Sequence, residues 1–291
     1  MSAKSCDICG SEESTRALEK GGFEILRCNS CCMVYLNYEP GRHWAGRFYS
    51  AGYFQGSADG RGYTNYDGCE KFLTVNFNQR IKDLSRYVKK GNVLDVGCGY
   101  GFFLRCLGGN YTGFGIDVSE HAVGVARDRY GLDVRVGPLE RNTFPAKYFS
   151  LITMWDVVEH LRDPKASLQV LHGLLKDNGV VVLTTGNVDS LLARICGKRW
   201  HLYTVPEHLW FFSPHTLTNL LHQTGFRVVE MRNEWCYYSV DYIIERLVKT
   251  LFNAYSATNR IPFRSLLSTL IVPFTLFDIM YVVFKKQAHE G

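Results

Sequence analysis

Short apolar runs and longer stretches with helical spacing alternate along this chain, and each kind predicts a different element. The run Val-Leu-Asp-Val at 93–96 is followed by Gly-Cys-Gly-Tyr-Gly and then by the apolar Phe102, Phe103 and Leu104. This order predicts a strand, a tight loop and a helix. Because glycine has no Cβ, the loop can take positive φ angles and let a ligand lie against the backbone, next to the unpaired N–H groups of the helix.

The same two patterns continue and predict alternating helices and strands. A helical stripe comes first, formed by Leu73, Phe77, Ile81, Leu84 and Val88. Beyond the glycine loop we predict helices over 120–130, 163–179 and 213–225, and strands over 132–136, 149–154, 180–185 and 226–230. Elements in this order form an α/β fold with a parallel sheet and right-handed crossovers.

Two acidic residues decide which ligand the glycine loop suits. A dinucleotide loop follows the pattern G-x-G-x-x-G, but Phe102 stands at its third glycine position here. The chain instead has D-x-G-x-G-x-G, and the Asp95 carboxylate would repel a phosphate and suit an ammonium group. Asp117, at the end of the second predicted strand, can accept both hydroxyls of a ribose. A ligand with an amino group, a ribose and no phosphate fits S-adenosylmethionine (SAM).

With these motifs, residues 91–230 resemble a class I SAM-dependent methyltransferase. The resemblance implies a Rossmann-like sheet of seven strands, mostly parallel, with an antiparallel last strand that starts near Asp278. It also implies that Leu139 contacts the adenine. Ligands of open α/β sheets lie outside the C-terminal strand ends, so we expect Trp155 to face the transferring methyl group. The alternative is an ordinary α/β turn without a ligand. The predicted cofactor residues are Asp95, Gly97, Cys98, Gly99, Gly101, Asp117, Val118, Leu139 and Trp155.

Two C-x-x-C pairs near the start of the chain have the spacing of a metal site. Four thiolates complete a closed tetrahedral shell, which is typical of structural zinc. We therefore predict that residues 1–38 form a zinc ribbon that needs its metal to fold. Cys32 is a fifth thiol that could compete as a ligand, and a loop of reduced cysteines without metal is the alternative. The predicted ligands are Cys6, Cys9, Cys28 and Cys31.

A segment rich in glycine and aromatic residues follows the ribbon. We predict that residues 39–90 hold an aromatic lid, over 39–68, and then the first helix of the α/β domain at 69–89. The glycines favour mobility and the rings need something to bury, so the lid would close over cofactor and acceptor. A linker whose rings merely pack on the body is the alternative. The rings belong to Trp44, Phe48, Tyr49, Tyr53, Phe54, Tyr63 and Tyr66.

A second informative loop, residues 186–215, contains a Glu-His-x-x-x-Phe-Ser motif. It resembles the acceptor-site segment of zinc-containing sugar C-methyltransferases, which implies His208 as the base and Glu207 as the residue that orients it. We expect no counterpart of those enzymes' extra C-terminal domain, and the whole chain more closely resembles the shorter zinc-ribbon methyltransferases. Histidine suits a base near neutral pH, and His160 and His201 are further candidates.

The SAM-binding domain is predicted to span 91–291, with a helical insertion at 235–277 before the last strand. Residues 266–284 are apolar enough to resemble a membrane span, but Pro273 and Asp278 argue against one. The insertion could instead line the acceptor pocket, form an interface between subunits or make peripheral contact with a membrane.

Composition narrows the functional class. The chain has 291 residues, 46% of them hydrophobic, so it can bury a sizeable core in one large domain or in one domain plus a small module. A net charge of +5 is too mild to indicate nucleic acid binding. No apolar secretory signal opens the chain, so we expect a cytoplasmic protein with reduced cysteines.

Together these features predict a SAM-dependent methyltransferase that acts on a small polar acceptor. A sugar or sugar-linked metabolite, methylated on oxygen or carbon with His208 as base, is the main hypothesis. A quinone- or polyketide-type phenol O-methyltransferase is the alternative enzyme, because a flat apolar acceptor suits aromatic loops. Alternatives of another class are a nucleic-acid-modifying protein and a non-catalytic interaction protein. The mild charge argues against the first, and the retained Asp95 and Asp117 argue against the second.

Overall fold

The computed structural model describes residues 4–41, 44–56, 62–63, 65–140, 143–244 and 264–287. The chain first forms a small antiparallel sheet of β1 (Ser14–Lys20), β2 (Phe23–Cys28) and β3 (Val34–Leu36). A fourth strand, β9 (Trp210–Phe211), pairs antiparallel with β3 although it lies far along the chain. We call residues 4–38 the ribbon, and β9 joins it to the predicted acceptor loop.

The central sheet has seven strands and confirms the predicted α/β fold. Its strands are β4 (Gly91–Val96), β5 (Tyr111–Asp117), β6 (Val134–Val136), β7 (Phe149–Trp155), β8 (Leu175–Gly186), β10 (Phe226–Asn233) and β13 (Ile279–Lys286). They lie in the order β10-β13-β8-β7-β4-β5-β6. The pairs among β4 to β8 are parallel, whereas β13 is antiparallel to both β8 and β10. The last strand is therefore antiparallel, as the resemblance implies.

Helices cover both faces of this sheet. Successive residues of β8, such as Val181 and Val182, enter different hydrophobic clusters, because side chains alternate along a strand. One cluster is continuous with the ribbon and with α6 and α8, and the other contains α3, α4 and α5. The helices are α1 (Trp44–Phe48), α2 (Ala51–Gln55), α3 (Glu70–Leu84), α4 (Phe102–Arg105), α5 (Glu120–Tyr130), α6 (Pro164–Leu174), α7 (Leu191–Cys196), α8 (Pro214–Gln223) and α9 (Arg264–Leu267).

Helix α6 begins as predicted but ends earlier. The Asp163 side chain accepts a hydrogen bond from the N–H of Ala166, with proline in the first turn, which fixes the start. The carbonyl of Leu174 accepts the N–H of Tyr148, so the chain turns directly into β8. The predicted end at Gly179 is therefore wrong, since Gly179 lies within β8.

The segment before the last strand contains a two-stranded sheet that the sequence pattern did not predict. Strand β11 (Cys236–Ser239) pairs antiparallel with β12 (Ile271–Phe274). Residues 245–263, on which much of the predicted helical insertion falls, lie outside the described residues. Within the described ranges, every helix is too short or too polar to cross a bilayer.

Candidate functional site

The loop between β4 and α4 requires its glycines. A side chain at Gly97 would come within 2.5 Å of Val157 Cγ2, and one at Gly99 within 3.1 Å of the Tyr66 hydroxyl oxygen. Only glycine adopts positive φ angles readily. The backbone angles and the close contacts therefore both require glycine at these positions. The φ angles are 72° at Gly97, 52° at Gly99 and 80° at Gly101.

Asp117 ends β5 and closes the other side of this loop. Its Oδ2 accepts a hydrogen bond of 2.8 Å from the N–H of Gly99, and its Oδ1 accepts one of 2.8 Å from the N–H of Ser119. Burial raises the pKa of Asp117, although these N–H groups oppose the shift. A carboxylate offers about four acceptor positions, so Asp117 retains capacity for the hydroxyls of a ribose.

Asp95 is buried at the end of β4, with 2% of its surface exposed. Thr153 donates its hydroxyl to Asp95 Oδ1 at 2.7 Å. Burial raises the pKa of Asp95 to about 8, because this one hydrogen bond does not replace the lost water. A buried carboxyl of this kind favours a cationic partner, so it fits the ammonium group of SAM.

The remaining predicted cofactor residues differ in their surroundings. Val118 follows Asp117, and its carbonyl oxygen lies 3.9 Å from where a Cβ on Gly46 would stand, so α1 approaches this side. Leu139 is half-buried against the main core and can contribute an apolar surface. The side chain of Cys98 is buried among core residues, so only its backbone can contact a ligand. Together with the bare loop, this set fits a nucleoside without phosphate.

Trp155 ends β7 and carries a buried arginine on its face. The guanidinium carbon of Arg80 lies 4.4 Å from the ring centroid of Trp155, and Arg80 Nε donates to Glu234 at 2.9 Å. Within the described part of the chain, the indole N–H of Trp155 is buried without a hydrogen-bond partner. Such a donor suits a ligand that carries a hydrogen-bond acceptor. Sequence reasoning missed Arg80, although a charged residue on the buried face of α3 was a usable signal.

Aromatic side chains of the predicted lid cover the glycine loop. The ring of Tyr66 stacks on Phe102 at 5.2 Å between centroids, and Phe54 stacks on Tyr100 at 5.1 Å. Towards the acceptor side, the Tyr49 hydroxyl oxygen is 2.9 Å from Nδ1 of His160. The segment therefore contacts both sides of the site. Its closing motion stays a prediction.

Two histidines meet near the C-terminal ends of β7 and β8. The rings of His160 and His208 are in T-shaped contact, with 4.6 Å between centroids. Glu159 lies beside them, and one donor atom from each of the three residues is within 4.8 Å of the others. Thr185 donates its hydroxyl to Glu159 at 3.0 Å. Open α/β sheets bind ligands beyond these strand ends, and a nitrogen and carboxylate set can also hold a divalent cation.

Burial sets the protonation of this cluster. It lowers the pKa of His160 to about 4, so this ring is neutral near pH 7. It raises the pKa of Glu159, and the charge of Asp156 adds to the shift. Asp156 has a positive φ of 55°, and Thr184 donates its hydroxyl to Asp156 at 2.9 Å. Such strained backbone is concentrated at functional sites.

The predicted acceptor residues occupy different positions. The backbone oxygen of Glu207, which is 8% exposed, lies 3.0 Å from Nδ1 of His160. His208 is half-buried, and its backbone N–H donates to the carbonyl of Thr204 at 2.7 Å. Nδ1 of His201 lies 3.6 Å from the buried Asp278 carboxylate. The structure thus brings His160 and His208 together, and His201 contacts a different part of the fold.

The four predicted metal ligands converge in the ribbon. Their sulfur atoms all lie within 4.8 Å of one another, with 3.6 Å between Cys6 and Cys31 and 3.5 Å between Cys9 and Cys28. Tetrahedral Zn–S bonds of about 2.3 Å require S–S distances of about 3.8 Å, so the set fits zinc. Cys32 is exposed, and it lies outside this group of four.

Comparisons with known proteins agree with this geometry. A protein named ubiquinone biosynthesis O-methyltransferase from Dinoroseobacter shibae is 32% identical over 152 residues, which cover 48% of this chain and 61% of that protein. One of the same name from Coxiella burnetii is 27% identical over 168 residues, which cover 52% of this chain and 71% of that protein. The YcgJ protein from Bacillus subtilis aligns with a TM-score of 0.52 and 16% identity, over 73% of this chain and 99% of that structure. This last similarity supports the fold alone.

The family comparison covers the parts of the site that lie in the central sheet. The methyltransferase domain family matches residues 71–231, which make up more than half of the chain. The matched region includes the glycine loop, Asp117 and both histidines of the cluster. The chain therefore belongs to the methyltransferase domain family and contains a SAM-dependent methyltransferase domain.

Proposed function

We propose that this protein transfers the methyl group of SAM to the hydroxyl oxygen of a flat, quinone- or polyketide-type phenol. The observation that carries the proposal is the contact between His160 and His208, beside Tyr49 and near the strand ends where ligands bind. The relatives named ubiquinone biosynthesis O-methyltransferase support this alternative over the sugar acceptor expected from the Glu-His motif.

Bound SAM supplies a methyl carbon activated by a good leaving group. The chain's own residues then bind and orient the two reactants, and they exclude water from the site. Asp117 holds the ribose and Asp95 the ammonium group. His208 takes the proton of the acceptor hydroxyl, which makes that oxygen a better nucleophile. Tyr49, which contacts His160, keeps water from the reacting atoms.

A methyl-acceptor screen with isotopically labelled SAM tests the proposal. Catechols and hydroquinones should accept label, and nucleotide sugars should accept at least about tenfold less, since a site built around apolar and aromatic walls discriminates by about that factor or more. Label on a sugar with none on any phenol would contradict it. Asp117→Ala is the control for cofactor dependence, because it should abolish labelling of every acceptor.

Two further proposals concern partners of the protein. The four-cysteine set is proposed to hold one structural zinc ion, which the sulfur spacing supports. Peripheral membrane contact is expected from the sequence through residues 235–277, of which 245–263 lie outside the described residues. We propose it instead through α7, where Leu191 and Ile195 are 75% and 74% exposed and Arg194 is also exposed. Apolar and cationic side chains in one short helix suit an anionic bilayer surface.

A further inference from the structure

The strand β9 takes its hydrogen-bonding partner from the ribbon. In the small sheet the strand order is β1-β2-β3-β9, so β3 is the neighbour of β9. Tyr35 lies opposite Trp210 in this pairing, and the N–H of Leu36 donates to the carbonyl of Leu209 at 2.9 Å. A two-residue strand cannot maintain an extended conformation alone, so β3 defines the path of the chain here.

The other side of β9 is held by the turn that carries the histidine. The N–H of Leu209 donates to the carbonyl of Glu159 at 2.9 Å, and the indole N–H of Trp210 donates to the carbonyl of Leu161 at 2.7 Å. His208 immediately precedes this pair of contacts. Residues 207–210 are therefore clamped between the ribbon and the Val158–His160 turn.

The ribbon side of this clamp depends on the cysteine set. Strand β3 begins three residues after Cys31, and the N–H of Cys28 donates to the carbonyl of Met33 at 2.9 Å. The knuckle that brings two sulfur atoms together is thus continuous with the strand that holds β9. In contrast, the glycine loop and Asp117 belong to the central sheet, which shares no ladder with β3 or β9 in the described ranges.

We propose that the ribbon positions His208 and that Tyr35 and Leu36 are the positioning residues through which it acts. The proposal rests on the proposed function only for the role of His208. It implies that loosening the ribbon impairs methyl transfer more than SAM binding. A displacement of about 1 Å in a catalytic group can lower a rate by about a hundredfold.

Tyr35→Ala and Tyr35→Phe give the kinetic test. Tyr35 is 1% exposed, and its ring lies 6.1 Å from that of Trp210. We expect Tyr35→Ala to lower kcat by at least about tenfold while the Kd for SAM stays within about twofold. Tyr35→Phe keeps the ring and should restore kcat to within about twofold of the wild type. Unchanged kcat in Tyr35→Ala, or equal losses of kcat and SAM affinity, would overturn the proposal.

Hydrogen exchange of the full-length protein tests the same idea without activity. After the metal is removed with a chelator, the amide of Leu36, which donates to Leu209, and the amide of Phe211, which pairs with Val34, should exchange at least about tenfold faster. The amides of Gly99 and Ser119, which donate to Asp117, should keep their protection. Retained protection at Leu36 and Phe211, or equal loss at all these amides, would contradict the ribbon's role. This result stands whether or not the acceptor is a phenol.

Discussion

The backbone carbonyl of Glu207 lies 3.0 Å from Nδ1 of His160, and this contact decides which ring nitrogen carries the proton. A carbonyl oxygen only accepts, so Nδ1 must donate. The low pKa of His160, about 4, allows one proton on the neutral ring. Nε2 of His160 is then left with its lone pair. The Tyr49 hydroxyl oxygen, 2.9 Å from Nδ1, acts as a second acceptor of the Nδ1 proton. Glu207 therefore acts on His160 through its main chain.

His208→Ala should lower kcat by about a hundredfold or more, the usual contribution of a general base. The reason is that burial lowers the pKa of His160 to about 4, which makes it a weak base, so the proton of the acceptor falls to His208, whose ring is in contact with it. Turnover of a phenol acceptor, measured against pH, checks this. The acid limb of the wild-type profile should disappear in the variant.

His201→Ala is the matched control, because His201 contacts Asp278 instead of the cluster. It should change kcat by less than about threefold. A different outcome would change the role assigned to His208. That outcome is a loss of turnover when a chelator is added, followed by recovery when Mg²⁺ is supplied. In that case Glu159, His160 and His208 would hold a metal ion, since their donor atoms lie within 4.8 Å of one another.

The affinity for SAM should rise with pH between about 6 and 7.5, by up to about tenfold per unit. The pKa of Asp95 is raised to about 8 by burial, so the ligand-free protein holds a proton that an ammonium group must displace. Above about pH 8 the affinity should fall, as the amino group of the ligand loses its proton. Calorimetric titration at several pH values measures the slope. Asp95→Asn should flatten it, and an equal slope in that variant would show that another group is responsible.

The same raised pKa predicts how the ligand-free fold responds to pH. The folded protein keeps a proton on Asp95 that the unfolded chain releases near its ordinary pKa, about 4. This group therefore lowers the free energy of unfolding as pH rises from about 4 to about 8. Asp95→Asn should remove that part of the dependence. Denaturant unfolding at about pH 5 and about pH 7.5 makes the comparison, and an unchanged difference would contradict it.

Local signals in the sequence were enough for the central sheet and the cofactor side. Asp95 and Asp117 lie in the last two positions of their apolar strands, and parallel strands bring their C-terminal ends to one edge, so periodicity sufficed. The contact between His160 and His208 was not accessible in this way. It depends on how the acceptor loop packs after the crossover, which no local pattern encodes.

Short elements made by distant partners also escaped prediction. Trp210–Phe211 is too short to show alternation, and it becomes a strand because β3 pairs with it. The apolar run that includes Ile271–Phe274 resembled a buried helix or a membrane span, yet it forms a strand with Pro273 in it. Apolar runs of this length do not distinguish strand from helix.

Metal analysis should return about one zinc ion per chain, and Cys28→Ser should abolish most of it. The sulfur of Cys28 is 3.5 Å from that of Cys9, so its loss opens the shell. We expect the melting temperature to fall by at least about 5 °C, since the ribbon shares a core with the central sheet. Cys32→Ser is the control and should keep both metal and stability. Retention of zinc by Cys28→Ser would mean that the ligand set is misassigned.

Flotation with anionic phospholipid vesicles should recover the protein in the lipid fraction, and Leu191→Glu with Ile195→Glu should reduce that fraction by at least about fivefold. Both side chains are about three-quarters exposed on α7, and Arg194 lies between them in sequence. Added salt should weaken binding, because it screens attraction between basic side chains and the lipid. Val136→Glu, at an exposed position of β6 on the far edge of the sheet, is the control and should not change it. Equal recovery of both variants would place any lipid contact elsewhere on the molecule.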